Sequence, residues 1–553
     1  MRWEILTKLK IKNEKVKNED IVEILLKNRG LKTKKQQEEF LNPKKPEELG
    51  AKDFGLEKRE TTKAIKRIRQ AIEKNEAIIV YGDYDTDGIC ATAILWETLY
   101  KLTKNVLPYI PQRVSEGYGL NKKTITSLKE KNPNLKLIIT VDHGITAGEK
   151  IKFAKKLGID VVVCDHHEIG KEKPQAVAVV HTVKVCSAAI AWFLSNQIKK
   201  GDFLDLVAIA TIADVEPLIG VNRSLVKEGL YALNRTKRCG LLAIFEEAGI
   251  KQGEIGPYEV GFIIAPRLNA MGRMEHALES LRLVCTSRVD QAKDLATKLG
   301  MTNRERQILM EETAKHARDL LFSFASQEDL PKLIFLAHES YQEGIIGLTA
   351  GKLVEEFYRP AIVISKGEIY SKASARSING FNIIEAIRTC SDLLVDAGGH
   401  PMAAGFTVET TKLEVLKTRL EEVAQKQLDD EKLTKKLKID CELSLKDISL
   451  ELYQEIRKFE PFGLGNPEPI FVSRGVEVVE ARTVGLEGKH LKLSLTSHLS
   501  PITIEAIGFG MGQLFPQLPP EKPIEIAYSL ALDQWNGMSK IQLKLKDIKW
   551  EKD

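Results

Sequence analysis

The run YGDYDTDG at residues 81–88 packs three carboxylates, Asp83, Asp85 and Asp87, into one short turn. Acids so crowded repel one another, and a divalent cation is the usual means of holding them together. Taken alone, an Asp-rich turn reads equally well as a solvated acidic loop. Further acids and imidazoles recur in the same setting: Asp142 after residues 135–141, Asp165-His166-His167 after 160–164, and Asp214 after 206–213. One Asp after a strand is usually a helix cap, and one His pair is usually incidental. Four such deliveries to a common place read as a metal site. Carboxylates with one or two imidazoles suit manganese or magnesium, whereas zinc would favour more nitrogen or sulfur. With at least five acids there is room for two ions, a pair that can activate a water and clamp the attacking and leaving oxygens of a phosphoryl transfer. Phosphoester hydrolysis is therefore the expected chemistry.

The elements that must position these residues follow from the pattern around them. Residues 60–74 carry Ala64, Ile65, Ile68 and Ile72 on one helical face and lead into the apolar run 77–80, which the Asp-rich turn follows. The runs 135–141, 160–164 and 206–213 are predicted strands separated by helical stretches. Strands alternating with helices imply an α/β fold with a parallel, doubly wound sheet, and ligands bind outside the carboxyl ends of such strands. All four clusters would then emerge on one edge.

At 553 residues the chain exceeds what one core supports. Lys and Arg number 82 against 77 Asp and Glu, a formal charge of +5, so a nucleic-acid site must come from local clustering rather than from global charge. The amino terminus lacks the apolar core of a signal peptide, and no apolar run approaches the ~20 residues of a membrane span; a soluble, cytoplasmic protein is expected. Seven cysteines without a C-x-x-C pair argue against a disulfide framework and a structural zinc site.

Residues 1–50 read as a small helical cap on the domain behind them, 51–235 as the catalytic domain, and 236–330 as a helical connector whose long amphipathic helix, about 289–321, could bridge two domains. A second α/β unit occupies 331–427. In it Gly398-Gly399-His400 reads as a turn entering the small-residue segment 403–405, where exposed amides could meet a phosphate. Arg376 with Ser374, and Arg113, supply donors that a terminal phosphate would need. A charged linker, 428–438, precedes a last unit over 436–553 with five predicted strands, at 470–479, 490–495, 502–507, 524–532 and 541–548, and a hairpin signal at Trp535-Asn536-Gly537. Five strands fit an OB-fold, which commonly holds single-stranded nucleic acid. Lys489, His490, Lys492 and Trp535 are candidate contacts or a solvated edge.

The strings GDYDTDG (82–88), TVDHGI (140–145), DHH (165–167) and TIADV (211–215) resemble the four motifs of the DHH phosphoesterase superfamily. APRLNAMGR (265–273), NRERQ (303–307), SARSING (374–380), GGHPMAAGF (398–406) and EPFGLGNPEP (460–469) resemble the bacterial RecJ single-strand exonucleases, over nearly the whole chain. The resemblance implies a 5′ to 3′ exonuclease on single-stranded DNA in recombination and repair, with DHH, DHH-associated and OB domains. It implies one manganese on Asp87, Asp142, His166 and Asp214, and a second mainly on Asp85 with Asp142 bridging; magnesium is the alternative ion. Asp83 stands close by, as a ligand or behind one, and His167 would face the scissile phosphate as stabiliser or proton donor. Arg113, Arg267, Asn269, Arg273, Arg304, Arg306, Ser374, Arg376, Gly399 and His400 would contact the 5′-phosphate and DNA. A helicase and a single-strand binding protein are implied partners, and the chain is expected to act as a monomer. Two positions depart from the pattern. His143 follows Asp142 where a small residue is common, and either adds an imidazole near the metals or packs against the turn, with packing favoured. Tyr341-Gln342 replaces Trp-His, which bears on substrate contacts. The rival readings are a DHH phosphodiesterase for short oligoribonucleotides or cyclic dinucleotides and a catalytically silent DNA-binding scaffold.

Overall fold

The computed structural model describes residues 1–7, 17–113, 116–170, 172–497, 500–519, 522–535 and 538–550. The chain opens on β1 (Arg2–Thr7), whose partner lies near the far end of the sequence. Next come β2 (Ala77–Tyr81), β3 (Val106–Tyr109), β4 (Leu135–Val141), β5 (Asp160–Asp165) and β6 (Ala178–His181), a parallel sheet in the order β3-β2-β4-β5-β6. The inner strands read AIIVY, LKLIITV and DVVVCD because helices cover both faces. Ile78, Val80, Leu137 and Ile139 bury against Ile68, Ile94 and Ile209 on one side. Ile79, Tyr81 and Ile138 bury against Ile125 and Ile151 on the other. Chain order reverses between β2 and β4, and the crevice such a switch opens lies beyond their carboxyl ends, where the Asp-rich turn and Asp142 sit.

Residues 206–213 are not a strand. They lie in the helix Leu204–Ala213, LDLVAIATIA, buried over most of its surface. A segment that is apolar all round carries no period by which a buried strand and a buried helix can be told apart. The common edge is thus built from three strand ends and one helix end.

The bridging helix runs Val289–Phe322, 34 residues and about 50 Å. Its amino-terminal half buries Ala292, Leu295 and Leu299 in the catalytic core, and its last turns bury Ala317 and Leu321 under a second sheet. That sheet comprises β7 (Ile334–His338), β8 (Ala361–Ser365), β9 (Tyr370–Arg376), β10 (Leu394–His400) and β11 (Ala403–Glu409), in the order β10-β11-β9-β8-β7. Gly398, Gly399 and His400, expected as a turn before small residues, end β10 and pair with Gly405, Ala404 and Ala403 of β11. A Cβ on Gly399, at φ +142°, would stand 2.4 Å from the Ala403 carbonyl oxygen, so the small residues permit close pairing of the hairpin.

The last unit holds β12 (Lys436–Glu442), β13 (Phe471–Val484), β14 (His490–Ser497), β15 (Ser500–Gly508), β16 (Ile524–Trp535) and β17 (Met538–Lys549). Strands β13-β14-β15-β17-β16 close into a barrel through the β13–β16 pairing, the OB-like arrangement that the sequence predicts. The turn residues Asn536 and Gly537, with the Trp535 side chain, lie outside the described residues. The amino-terminal segment differs from a helical cap on the catalytic domain: β1 pairs in parallel with β12, and Ile21, Leu25, Leu26 and Phe40 join the core of the last unit. The alternation in RWEILT is too short and too charged to stand out as a strand beside the Lys-rich residues that follow. Among the described residues no helix is long and apolar enough to cross a membrane, and all seven cysteines are free.

Candidate active site

The Asp-rich turn is held from below and from the side. Asp85 caps the helix Thr86–Tyr100 by accepting from the Gly88 amide at 3.0 Å, which occupies one of its oxygens. Gly88 packs so closely under the turn that a Cβ would come within 2.7 Å of the Asp83 backbone. Asn269 accepts from the Thr86 amide at 2.8 Å and from its hydroxyl at 2.9 Å, and a Cβ on Gly272 would stand 2.3 Å from the Tyr84 carbonyl oxygen. The string APRLNAMGR is therefore a brace against the turn, formed by the helix Ala265–Met274. Asn269, expected at the DNA, gives its side-chain oxygen to that brace.

Asp87 accepts from the Ser187 and Ala188 amides at 2.7 and 2.8 Å, at the start of the helix Ser187–Ile198. Asp142 follows β4 in the left-handed region, φ +67°, and takes the Ser187 hydroxyl at 3.2 Å. His166 Nε2 stands 3.3 Å from Asp142, 3.6 Å from Asp214 and 3.9 Å from Asp87, while its Nδ1 faces Glu216 at 3.3 Å. Three overlapping groups each bring ligand atoms within 4.8 Å of one another: Asp87, His166 and Asp214; Asp83, Asp85 and Asp142; and Asp142, His166 and His167. Asp142 is common to two groups, and so is His166.

The electrostatics favour a cation. Burial, then repulsion from Asp85, raises Asp83 and Asp142 well above the carboxylate range. Burial likewise raises Asp87, and burial with the Asp87 charge raises Asp214 to about 8. Burial pulls His166 down, but hydrogen bonds to Asp142 and Glu216 outweigh it and leave the imidazole raised. Asp83 Oδ1 is buried with no hydrogen-bond partner. A cluster of buried acids with an orphaned oxygen fits divalent cations bound through oxygen and one imidazole.

His167, in the third group, is also oriented from outside it. Its Nδ1 lies 2.8 Å from Asp165, and its Nε2 faces the Tyr118 hydroxyl at 3.4 Å. Burial would raise Asp165, yet His167 and the Ile145 and His167 amides hold it at about 2. His143 packs as favoured: it is 1% exposed, faces the Tyr81 carbonyl at 3.0 Å, and burial lowers it to about 4. It belongs to none of the three groups of ligand atoms.

Across the crevice stand the cationic candidates. Burial, then the charges of Arg113, Arg306 and Arg376, lowers Arg273 to about 10, and its Nη1 donates to the Gly344 carbonyl at 3.4 Å. Arg113 lies over the Tyr84 ring at 5.1 Å, and Arg376 donates to Ser374 at 3.2 Å. A Cβ on Gly347, in the first turn of the helix Ile346–Phe357, would reach within 3.0 Å of Arg376 Nη2 and 2.9 Å of Ser374 Oγ. His400 brings the β10–β11 hairpin to the catalytic edge, its ring stacked 6.4 Å from that of His167. Gly399 precedes it in the hairpin. Arg267 and Arg304 do not join this cluster: both donate to Glu247 at 2.7 Å and tie the long helix to the catalytic core. Tyr341 is 2% exposed and bonded to His316 at 2.9 Å, a packing role.

Glu216, Tyr118 and the Ser187 and Ala188 amides are contributors that sequence reasoning missed, as is the place of Asp165 behind His167. Glu216, two residues past Asp214, and Asp165, first of the DHH string, were open to discovery as acids beside the motifs. Nothing in CSAAI marks its amides.

Three family models match: the DHH family, N-terminal domain, at residues 77–211; the DHHA1 domain at 330–426; and the RecJ OB domain at 439–547. The chain is 36% identical over 568 residues to the single-stranded-DNA-specific exonuclease RecJ of Bacillus subtilis (strain 168), covering 99% of this chain and 70% of that protein. It is 33% identical over 496 residues to the protein of that name from Thermus thermophilus, covering 87% and 70%. A crystal structure of Thermus thermophilus RecJ in complex with Mn2+ superposes with a TM-score of 0.82 at 29% identity, over all of this chain and 80% of that one, and one with Mg2+ at 0.75 and 28%, over all of this chain and 79% of that one. With its buried acid-imidazole edge, its DHHA1 sheet and its closing barrel, the chain belongs to the RecJ family of single-stranded-DNA-specific exonucleases.

Proposed function

We propose that this chain removes nucleotides from the 5′ end of single-stranded DNA by metal-dependent phosphodiester hydrolysis, in DNA recombination and repair. The observation that carries this is a buried acid-imidazole edge beside which Arg113 lies over Tyr84, with Arg273 bonded to Gly344 and Arg376 to Ser374 on the second sheet's side. Asp87, Asp142, His166 and Asp214 would hold one divalent cation, and Asp85 and Asp142, with Asp83, a second; manganese or magnesium fits both. When bound, the pair supplies Lewis acidity and a water acidic enough to ionise near neutral pH.

The chain's own residues do the rest. Glu216 at His166 Nδ1 fixes which imidazole nitrogen faces the acids. Asp165 favours a proton on His167 Nδ1 and leaves Nε2 toward the cleft, where an imidazolium would donate to the charge developing on the scissile phosphate. Arg113, Arg273, Arg306, Arg376 and Ser374 would hold the terminal 5′-phosphate. A fixed distance from that pocket to the acids makes cleavage occur near the 5′ end. A cleft too narrow for duplex would admit single strands alone, which the barrel would hold behind it. The protein acts in the cytoplasm as a monomer, alongside a helicase and a single-strand binding protein.

End-labelled single-stranded DNA, duplex DNA and a dinucleotide, each incubated with Mn2+ and with chelator, test the reading. Metal-dependent release of nucleotides from the 5′ end of the long single strand is expected. Cleavage of the dinucleotide alone would favour the small-substrate enzyme, and binding without cleavage a scaffold. Arg376→Ala should abolish preference for 5′-phosphorylated ends; equal losses on phosphorylated and unphosphorylated DNA would remove Arg376 from that role.

A further inference from the structure

The loop that carries Asp214 and Glu216 is gripped by the barrel unit. Residues 214–219 connect the helix Leu204–Ala213 to the helix Gly220–Leu233, with Val215 in the left-handed region at φ +57°. The Leu218 amide donates to the Leu464 carbonyl at 2.7 Å. Leu218, 2% exposed, fills the space over Gly463, where a Cβ would stand 2.7 Å from Leu218 Cδ1. A Cβ on Gly465, at φ +75°, would stand 3.2 Å from Pro217. Both glycines of FGLGN are thus needed for the approach of two loops, one of them delivering a candidate ligand.

The gripping loop is itself locked. Asn466 is fully buried and donates to the Phe459 and Pro461 carbonyls at 2.7 and 2.9 Å, while its oxygen accepts from Arg29 at 2.8 Å. From the other side comes Arg223, in the first turn of the helix that follows the catalytic loop. It is 1% exposed and donates to the carbonyls of Phe40, Phe459 and Lys458 at 2.7, 2.8 and 3.1 Å, with the Phe40 ring 4.0 Å below its guanidinium. Among the described residues it has no carboxylate partner, so this cation is spent on fixing main chain from two segments, at residue 40 and at residues 458–459. Those bonds leave from three nitrogens of one planar fork, a spread that the single nitrogen of an ammonium cannot copy.

We infer that the FGLGN loop of the barrel unit, locked by Arg223, is a positioning element for the metal centre, setting where Asp214 and Glu216 stand. The barrel unit then has a second task beside holding DNA: it completes the ion site from behind. This rests on Asp214 being a metal ligand.

The test is calorimetric titration of Mn2+ alone into the full-length protein, with single-strand binding measured separately by anisotropy in chelator. Gly463→Ala pushes Leu218 and should weaken one of two Mn2+ sites about tenfold while leaving the other site and DNA affinity within twofold. Leu218→Ala added to Gly463→Ala should restore Mn2+ binding, a rescue that general destabilisation would not give. Arg223→Lys should weaken the same site. Should Arg223→Lys not fold, as judged by circular dichroism, the Gly463→Ala and double-variant pair decides. Unchanged Mn2+ binding in Gly463→Ala, or no rescue in the double variant, overturns the proposal. Asp214→Asn separates the two layers: loss of one ion there with Gly463→Ala unaffected rejects only the positioning role, whereas two ions retained in Asp214→Asn rejects the ligand assignment beneath it.

Discussion

Gly272→Ala poses the sharpest question about the brace under the Asp-rich turn. The added methyl would stand 2.3 Å from the Tyr84 carbonyl oxygen and 3.2 Å from Tyr84 Cβ, about 1 Å short of ordinary contact. Tyr84 lies between Asp83 and Asp85, so any retreat of the backbone carries both acids with it. Two stability effects oppose one another. Alanine in a helix is favoured over glycine by about 1 kcal/mol, while overpacking costs ~1–3 kcal/mol, so net destabilisation should stay below about 2 kcal/mol. Rate is more sensitive, because a displacement of about 1 Å in a catalytic constellation costs on the order of a hundredfold. We expect kcat for nucleotide release from single-stranded DNA, at saturating Mn2+ and DNA, to fall roughly 10- to 100-fold while the melting temperature changes by a few degrees. Gly261→Ala is the control, since its nearest neighbour outside its own helix, Ile212, would be at 3.7 Å. A Gly272→Ala protein retaining a third or more of kcat would show that the turn does not depend on this brace.

Other expectations follow from the site. Asp165→Asn removes the anion that orients His167 and should lower kcat roughly 10- to 1000-fold with little change in Mn2+ affinity, as single-turnover kinetics and calorimetry would show. In metal-free protein Asp214 is raised to about 8 from an unfolded value near 3.8, and Asp83, Asp87, Asp142 and His166 are raised as well, so the native state binds more protons than the unfolded chain. Stability of the chelated protein should therefore fall as pH rises from about 4 to 8, and Mn2+ should restore it most strongly near pH 8; a melting temperature flat across that range with chelator would contradict the buried acids. Asp142→Ala, which touches two ligand groups, should abolish cleavage, and a variant with full activity would remove Asp142 from the centre.

What could be read in the sequence was what local pattern encodes. The strands under Asp83 and Asp142 announce themselves as β-branched runs ending in acids, and the long helix by its apolar face. The helix under Asp214 was hidden because full burial erases the period. Arg267, Arg304 and Asn269 look like DNA contacts in a string of basic and polar residues. Their partners, Glu247 and Thr86, are distant in sequence, and only folding reveals that each also holds protein to protein. Arg223 carried no signal at all, since a buried arginine satisfied by main-chain carbonyls has no complementary residue to betray it.

The pairing of β1 with β12 sets a schedule for synthesis. Residues 2–7 are made more than 400 residues ahead of residues 436–441, against which they align. At ~5–20 residues per second that is a wait of roughly 20–90 s, during which the first strand has an open edge and the apolar side chains of the helix Asn18–Asn28 have no core to enter. The catalytic sheet, complete by residue 181, can form meanwhile. Residues 2–28 thus fold later than the catalytic sheet, and slow or interrupted translation would strand an exposed edge on a molecule whose catalytic half is already built.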